Sequence, residues 1–390
     1  MNASRRNFLA AGLALPAVAS ASRSAGPEPQ APPARGSSSG PVFQYRTLGK
    51  TGLKVTTVGF GCMITSDGSV ITRAADLGIT YFDTARVYSG GNNERMVGAA
   101  LKGKRNGITL STKTQARTKA DALAHIDTSL KELGTDHVDI WYLHARSAPA
   151  DITDELIEAQ QEAKKAGKIR FAGVSTHQGH TTLIPFLAKH PNIDVILSSY
   201  NFAVDPAVSA VLEEAAKAGK GVVAMKVMGG GMGGGTAGGR GGIIQPPPAK
   251  PGNRLAALKW VTKNANVATT VPSMTDMDQL DENIKAMAQP FTPADQQLLA
   301  LRREQIRPYY CNMCGKCEGT CREGLPVADV LRYGMYADSY GQFALGREHF
   351  QTLSAAHAGV RCATCPGCTV ECPEGVRVAE RLAHIQGMLA

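Results

Sequence analysis

Eight of the nine cysteines fall into two copies of one spacing. Cys311, Cys314, Cys317 and Cys321 form the first copy; Cys362, Cys365, Cys368 and Cys372, followed by Pro373, form the second. Each reads C-x2-C-x2-C-x3-C, the spacing by which a chain wraps three thiolates around an iron–sulfur cube and offers a fourth. Structural zinc is the competing use of such thiols. Zinc ribbons, however, separate two C-x2-C pairs by more than about ten residues, and these quartets are more compact. Disulfides between thiols two residues apart would have to close strained loops. Two 4Fe-4S clusters are therefore expected. The spacing leaves open whether Cys321 and Cys372 stay with their own quartets or exchange clusters, the habit of two-cluster ferredoxins. The ninth cysteine, Cys62, ends an apolar run and reads as a buried small residue.

A second set of reactive side chains lies upstream. Asp83 and Tyr88 sit in Tyr81-Phe82-Asp83-Thr84-Ala85-Arg86-Val87-Tyr88, Lys113 in Ser111-Thr112-Lys113-Thr114, and His144 in Trp141-Tyr142-Leu143-His144. Singly, each has a plain explanation: an Asp after a strand caps a helix, and a lone Lys or His is solvated. Their shared position after β-rich runs makes a common site the better reading.

Those runs recur. Val55–Phe60, Thr80–Asp83, Ile108–Lys113, Val138–His144, Ile169–Ser175, Val195–Tyr200, Val222–Val227 and Val267–Val271 read as eight strands. Helical patterns such as Ala120–Leu133, Thr153–Ala166, Ala207–Ala218 and Arg254–Lys263 lie between them, with Gly134, Gly167 and Gly219 at C-cap positions. The alternation predicts an α/β fold, a (β/α)8 barrel whose site lies at the C-terminal ends of its strands. A doubly wound sheet is the runner-up. It wants G-x-G-x-x-G after the first strand, and Gly59-Phe60-Gly61-Cys62-Met63-Ile64 lacks the third glycine. The glycine-rich stretch Gly229–Gly242 follows the seventh strand and reads as a linker or a lid over a bound cofactor.

With D-T-A-x-x-Y at Asp83–Tyr88, Lys113 and His144, the chain resembles the aldo-keto reductases over roughly residues 43–290. The tail, with Arg332-Tyr333-Gly334-Met335-Tyr336 and Ala337-Asp338-Ser339-Tyr340-Gly341 between the quartets, resembles that family's iron–sulfur branch. The resemblance implies hydride transfer between a nicotinamide and a small carbonyl or alcohol substrate. Tyr88 would be the general acid, with its pKa lowered by Lys113. Asp83 would hold Lys113, and His144 would orient the carbonyl oxygen. It also implies cofactor contacts at Ser175, Thr176, Tyr200, Met225, Ser273, Gln279, Glu282 and Asn283. Several depart from the family pattern: Thr176 stands for an Asn, Met225 for an aromatic, and Ser273, Met274 and Gln279 for the polar and cationic grip on a 2′-phosphate. That erosion favours NAD(H) over NADP(H). The tail's helical segments are expected at Val327–Tyr336 and Arg347–Leu353, forming a mostly helical two-cluster module.

The N-terminus reads Ser4-Arg5-Arg6-Asn7-Phe8-Leu9 before an apolar stretch and small residues, a twin-arginine export signal. Export of a folded protein suits clusters inserted beforehand and places the mature chain outside the cytoplasm, in the periplasm. The reading divides the chain into a signal peptide (1–21), a Pro/Ser/Gly tether (22–42), a barrel (43–305) and a 4Fe-4S domain (306–390). The net charge of +9 is spread without a dense basic block, which argues against nucleic-acid binding. No later apolar run is long enough to span a membrane. Three functions compete: a carbonyl–alcohol oxidoreductase with clusters relaying electrons to a partner protein, a non-catalytic electron carrier on a retained barrel, and a reductase whose clusters only staple the tail. Nicotinamide passes hydride and clusters pass single electrons, and no flavin motif is visible to join them.

Overall fold

The computed structural model describes residues 42–230, 247 and 249–390, which belong to one compact unit, Pro41–Ala390. The twin-arginine stretch, the tether and the glycine-rich segment beyond Gly230 lie outside the described residues.

A short antiparallel hairpin comes first, β1 (Tyr45–Thr47) with β2 (Lys54–Thr56). Eight parallel strands follow: β3 (Phe60–Gly61), β4 (Tyr81–Asp83), β5 (Thr109–Thr114), β6 (Val138–Leu143), β7 (Ile169–Thr176), β8 (Val195–Ser199), β9 (Gly221–Met225) and β10 (Thr269–Thr270). They pair in chain order, and parallel bridges Val58–Thr270 and Gly61–Ser273 join the first to the last. The run Val55–Phe60 is thus two elements. Its first part pairs backwards into the hairpin, and only its end enters the barrel. Glycine makes the closure possible: a Cβ on Gly61 would lie 2.5 Å from the Val271 carbonyl oxygen, inside contact distance.

Helices α1 (Gly68–Leu77), α2 (Asn92–Ala100), α3 (Lys119–Leu133), α4 (Asp154–Lys165), α5 (His180–Lys189), α6 (Pro206–Lys217), α7 (Asn253–Thr262) and α8 (Met277–Ala288) alternate with the strands, and α9 (Pro293–Ile306) packs on α7. Their ends carry the expected signals. Thr118 caps α3 by accepting the Asp121 N–H, and Gly134 closes it at φ 64°. Every residue of β5 and β6 is buried, as a strand covered on both faces requires. Alternation along the strands then fixes orientation. Phe82, Trp141 and Leu143 face the helices. Tyr81 and Tyr142 fill the barrel interior and share a hydrogen bond of 2.8 Å between their hydroxyls. Residues in step with that inner set, Asp83 and His144, are delivered to the mouth.

The tail forms a second core beside the barrel. Helix α10 (Val327–Gly334) runs into a π-helical turn (Met335–Ser339), followed by α11 (Phe343–Gln351), α12 (Ala355–Gly359) and α13 (Val378–Leu389). The helix expected to end at Tyr336 therefore continues in wider form to Ser339. A buried ion pair explains the extension: Arg381 of α13 meets Asp338 at 2.7 Å with both side chains almost fully covered. Val330, Leu331, Phe350, Leu382 and Ile385 pack here with several of the cysteines. Met63, from the loop after β3, packs against the same core.

Candidate active site and cluster ligands

The ends of β4, β5 and β6 lie side by side. Lys113 Nζ donates to Asp83 Oδ2 at 2.5 Å, to the Thr84 carbonyl at 2.7 Å and to the Tyr88 hydroxyl at 3.2 Å. Ser111 Oγ donates to the other Asp83 oxygen at 2.6 Å. The Tyr88 and His144 rings meet edge to face, 5.8 Å between centroids. The structure thus brings all four strand-end residues together. The loop that carries Tyr88 is pinned from behind. Arg86 pairs with the buried Glu94 of α2, which also accepts from Thr112 Oγ1 at 2.6 Å, and Thr84 Oγ1 donates to Asn93 at 2.6 Å. Ser89, Gly90 and Gly91 then turn the chain through three consecutive left-handed conformations. Any side chain at Gly91 would collide with the Arg86 guanidinium.

Electrostatics at Tyr88 run opposite to the sequence expectation. Burial raises the phenol pKa well above its usual value, and the Asp83 carboxylate adds to the rise. Lys113 does not reverse this, because Asp83 already balances its charge; burial also lowers the pKa of Lys113 itself. Tyr88 is therefore held as a protonated hydroxyl, a donor at neutral pH. His144 is neutral for the same reason: burial, then Lys113, holds its pKa well below the usual imidazole value. Its Nδ1 has no partner.

A cavity of about 860 Å³ opens over these groups. Its wall includes positions the sequence did not flag: His177 and Lys226 from barrel strand ends, and Arg332, Tyr336 and His349 from the tail. Lys226 was hidden because the seventh strand reads through to Val227, whereas β9 stops at Met225. Arg332 and Tyr336 belong to a segment already singled out between the quartets, with no role attached.

The two cysteine loops meet. Cys311 and Cys317 lie within electrostatic reach of Cys314 and Cys372, whereas Cys362 lies with Cys365, Cys368 and Cys321. Each set groups three thiols of one quartet with the fourth of the other, as exchanged ligation of two clusters would require. The two loops are tied directly, Thr369 Oγ1 donating to the Thr320 carbonyl at 2.7 Å and Lys316 meeting Glu374 at 2.9 Å. Burial pushes the Cys311 thiol up to about 12 and the Cys317 and Cys362 thiols to about 11. A bound cluster requires thiolates, so it would supply the positive charge that this environment lacks. Among the described residues, no three His, Cys, Asp or Glu side chains close on one single-ion site.

Comparison with known proteins places these features. The aldo/keto reductase family profile matches residues 67–238. L-galactose dehydrogenase from Arabidopsis thaliana is 30% identical over 292 residues, spanning 63% of this chain and 89% of that protein. The chain belongs to the aldo/keto reductase family. The uncharacterized oxidoreductase YqkF of Bacillus subtilis is 34% identical over 176 residues, 41% of this chain and 56% of YqkF. Aldo-keto reductase AKR11C1 from Bacillus halodurans, in its holo form, superposes with a TM-score of 0.56 at 30% identity, covering 67% of this chain and 96% of that one. The tail is matched by a 4Fe-4S dicluster domain over residues 288–376. The protein is thus an aldo/keto reductase-type barrel joined to an iron–sulfur domain.

The family's nicotinamide contacts are only partly retained in space. Met225, Ser273 and Gln279 line the cavity. Ser175 Oγ accepts the Ala145 N–H at 2.9 Å and Thr176 Oγ1 donates to the Gln178 carbonyl at 2.5 Å, so both hydroxyls are engaged by nearby backbone. Tyr200 is not brought to the cavity. Its ring packs on Trp260 at 5.0 Å and its hydroxyl bonds Ser209 and Asn264, because its side chain falls on the helix-facing side of the barrel wall. Asn283 is fully buried with both amide atoms unpartnered. Glu282 meets Arg254 at 3.5 Å, and Arg254 lines the cavity. This end therefore holds one arginine that the reading of Ser273, Met274 and Gln279 had not counted.

Proposed function

We propose that the protein reduces a small aldehyde or ketone to the alcohol, with Tyr88 as general acid. The observation that carries this reading is the single lysine ammonium bonded at once to Asp83 and Tyr88, under a cavity whose wall includes His144. The substrate oxygen sits between the Tyr88 hydroxyl and the His144 imidazole, which polarise the carbonyl and fix its face. A nicotinamide, when bound, supplies the hydride to the carbonyl carbon. Tyr88 gives its proton to the developing alkoxide, and the Lys113 ammonium stabilises the phenolate left behind until solvent reprotonates it. Asp83 keeps Lys113 in place. A phenol whose pKa is raised favours this direction, since it arrives protonated.

The residues fit a dinucleotide at its adenine end. Arg254, Ser273 and Gln279 line the cavity at this end and would hold it. NAD(H) is preferred over NADP(H), because Glu282 already balances Arg254. The clusters, when bound, can pass single electrons. Their loops also brace the helices that carry Arg332, Tyr336 and His349, so cluster binding supports the cavity wall. We further propose that the chain is exported in folded form by the twin-arginine route to the periplasm, as Arg5 and Arg6 before an apolar stretch suggest.

The test is anaerobic turnover of simple aldehydes with NADH and NADPH by the holoprotein and by Tyr88→Phe. We expect kcat to fall by roughly 10²-fold or more in the variant, with cofactor affinity nearly unchanged. Wild-type turnover in Tyr88→Phe would remove Tyr88 as the general acid, and absence of turnover in the wild-type holoprotein would move the function to the electron-carrier reading.

A further inference from the structure

Part of the cavity wall carries positive charge that carbonyl reduction does not use. Lys226 follows β9 at φ 57°, a left-handed conformation rare outside glycine. This turn lays its ammonium over the Tyr336 ring at 4.5 Å and the Tyr340 ring at 5.0 Å, with no carboxylate partner among the described residues. Arg332, on α10, gives one nitrogen to Asp329 at 2.8 Å and keeps a buried Nε without a partner. His177, only 6% exposed, has an unpartnered Nδ1. His349 stacks beside Tyr333 and Tyr336 at 5.4 and 5.3 Å. All of these side chains border the cavity that Tyr88 and His144 border.

Such a grouping is unfavourable when empty of negative charge. Burial, and next Arg332, depresses the pKa of His177, Lys226 and His349. The nearby carboxylates are already engaged, Asp83 with Lys113 and Asp329 with Arg332. An anion entering the cavity would relieve the repulsion, occupy the free Arg332 Nε and favour the charged form of Lys226.

We propose that Lys226 and Arg332 form an oxyanion-binding subsite, and that the substrate is a small carbonyl compound carrying a carboxylate or phosphate group. The barrel supplies one cation and the iron–sulfur domain the other, so the tail takes part in choosing the substrate. The reaction assigned to this substrate rests on the carbonyl-reduction reading above; the binding of the anion does not.

The test is calorimetric titration of anaerobic holoprotein with benzoate, phenyl phosphate and benzyl alcohol, with and without saturating NADH. We expect benzoate or phenyl phosphate to bind at least about tenfold tighter than benzyl alcohol. Arg332→Gln and Lys226→Gln should each erase about tenfold of that preference, roughly 1.4 kcal/mol, and Arg332→Lys should restore part of it. Iron content equal to wild type certifies that each variant is folded. Equal affinity for the three probes overturns the proposal, as does a preference that survives both Gln variants. Competition between the anions and NADH also overturns it, because the cations would then belong to the dinucleotide's phosphates. Anion preference without any aldehyde turnover supports the subsite and sinks the carbonyl-reduction reading instead.

Discussion

Removing one member of the Asp83–Lys113 pair should destabilise the protein more per residue than removing both. The pair is buried, with side chains 6% and 1% exposed. Asp83→Ala leaves the Lys113 ammonium with only the Thr84 carbonyl and the Tyr88 hydroxyl, and Lys113→Met leaves the Asp83 carboxylate with Ser111. An uncompensated buried charge costs about 3–5 kcal/mol. Unfolding entropy near 2.1 cal/mol/K per residue gives roughly 0.7 kcal/mol/K for a body of roughly 350 residues. Each single variant should then lose about 4–7 °C in Tm. The double variant should cost less than the sum, by about 2–3 kcal/mol of coupling. A pH series adds a sign. Burial already lowers the pKa of Lys113 below its usual 10.5. Without Asp83 it falls further, so the unfolded state binds more protons up to pH 10.5, and the Asp83→Ala deficit should shrink as pH rises. Lys113→Met should show no such recovery. Anaerobic thermal unfolding followed by circular dichroism measures all of this. Single losses under about 1 kcal/mol, or strict additivity, would refute the view that each of these charges depends chiefly on the other.

The grouping of the thiols predicts crossed phenotypes: Cys372→Ser should disturb the cluster of Cys311, Cys314 and Cys317, and Cys321→Ser the cluster of Cys362, Cys365 and Cys368. Iron and sulfide analysis should fall from about eight of each toward about four, and stoichiometric zinc without sulfide would end the iron–sulfur assignment. The proposed carbonyl reduction should be flat across neutral pH, because the pKa of Tyr88 is raised above 10 and that of His144 lies well below 6.5; a kcat limb between pH 7 and 9 that disappears in Tyr88→Phe would contradict this. The contribution of the buried imidazoles to folding stability should be full above pH 6.5 and decline below it, since His180 and His349 are held near 4 by burial and the unfolded chain takes up protons first; denaturation midpoints that stay level from pH 6.5 to 4.5 would count against buried neutral imidazoles. Changing Arg5 and Arg6 to Lys should leave the protein in the cytoplasm with its clusters assembled, and fractionation showing undiminished export would remove the twin-arginine reading.

Much of the site is written locally. Helix and strand periods put Asp83, Lys113 and His144 at successive strand ends, and a barrel with paired strands in chain order must bring successive ends together. The cysteine spacing encodes its chemistry in a few residues, and caps such as Thr118 and Gly134 mark where α3 starts and stops. Periods of this kind depend only on neighbours along the chain, so the sequence alone determined the barrel, the four converging residues and the presence of an iron–sulfur domain. The tertiary structure decided the rest. Which fourth thiol serves which cluster depends on two loops about fifty residues apart meeting at Thr320 and Thr369. Tyr200 was misplaced because the side of the wall it faces is set by Trp260 and Asn264. The rise in the Tyr88 pKa comes from the depth of burial and from Asp83 neutralising Lys113, and a list of residue types contains neither. Lys226 and Tyr336 lie more than a hundred residues apart in sequence, yet stack at 4.5 Å once the tail folds against the barrel mouth. Charge burial and long-range contact are properties of the packed volume, and no local pattern along the chain carries them.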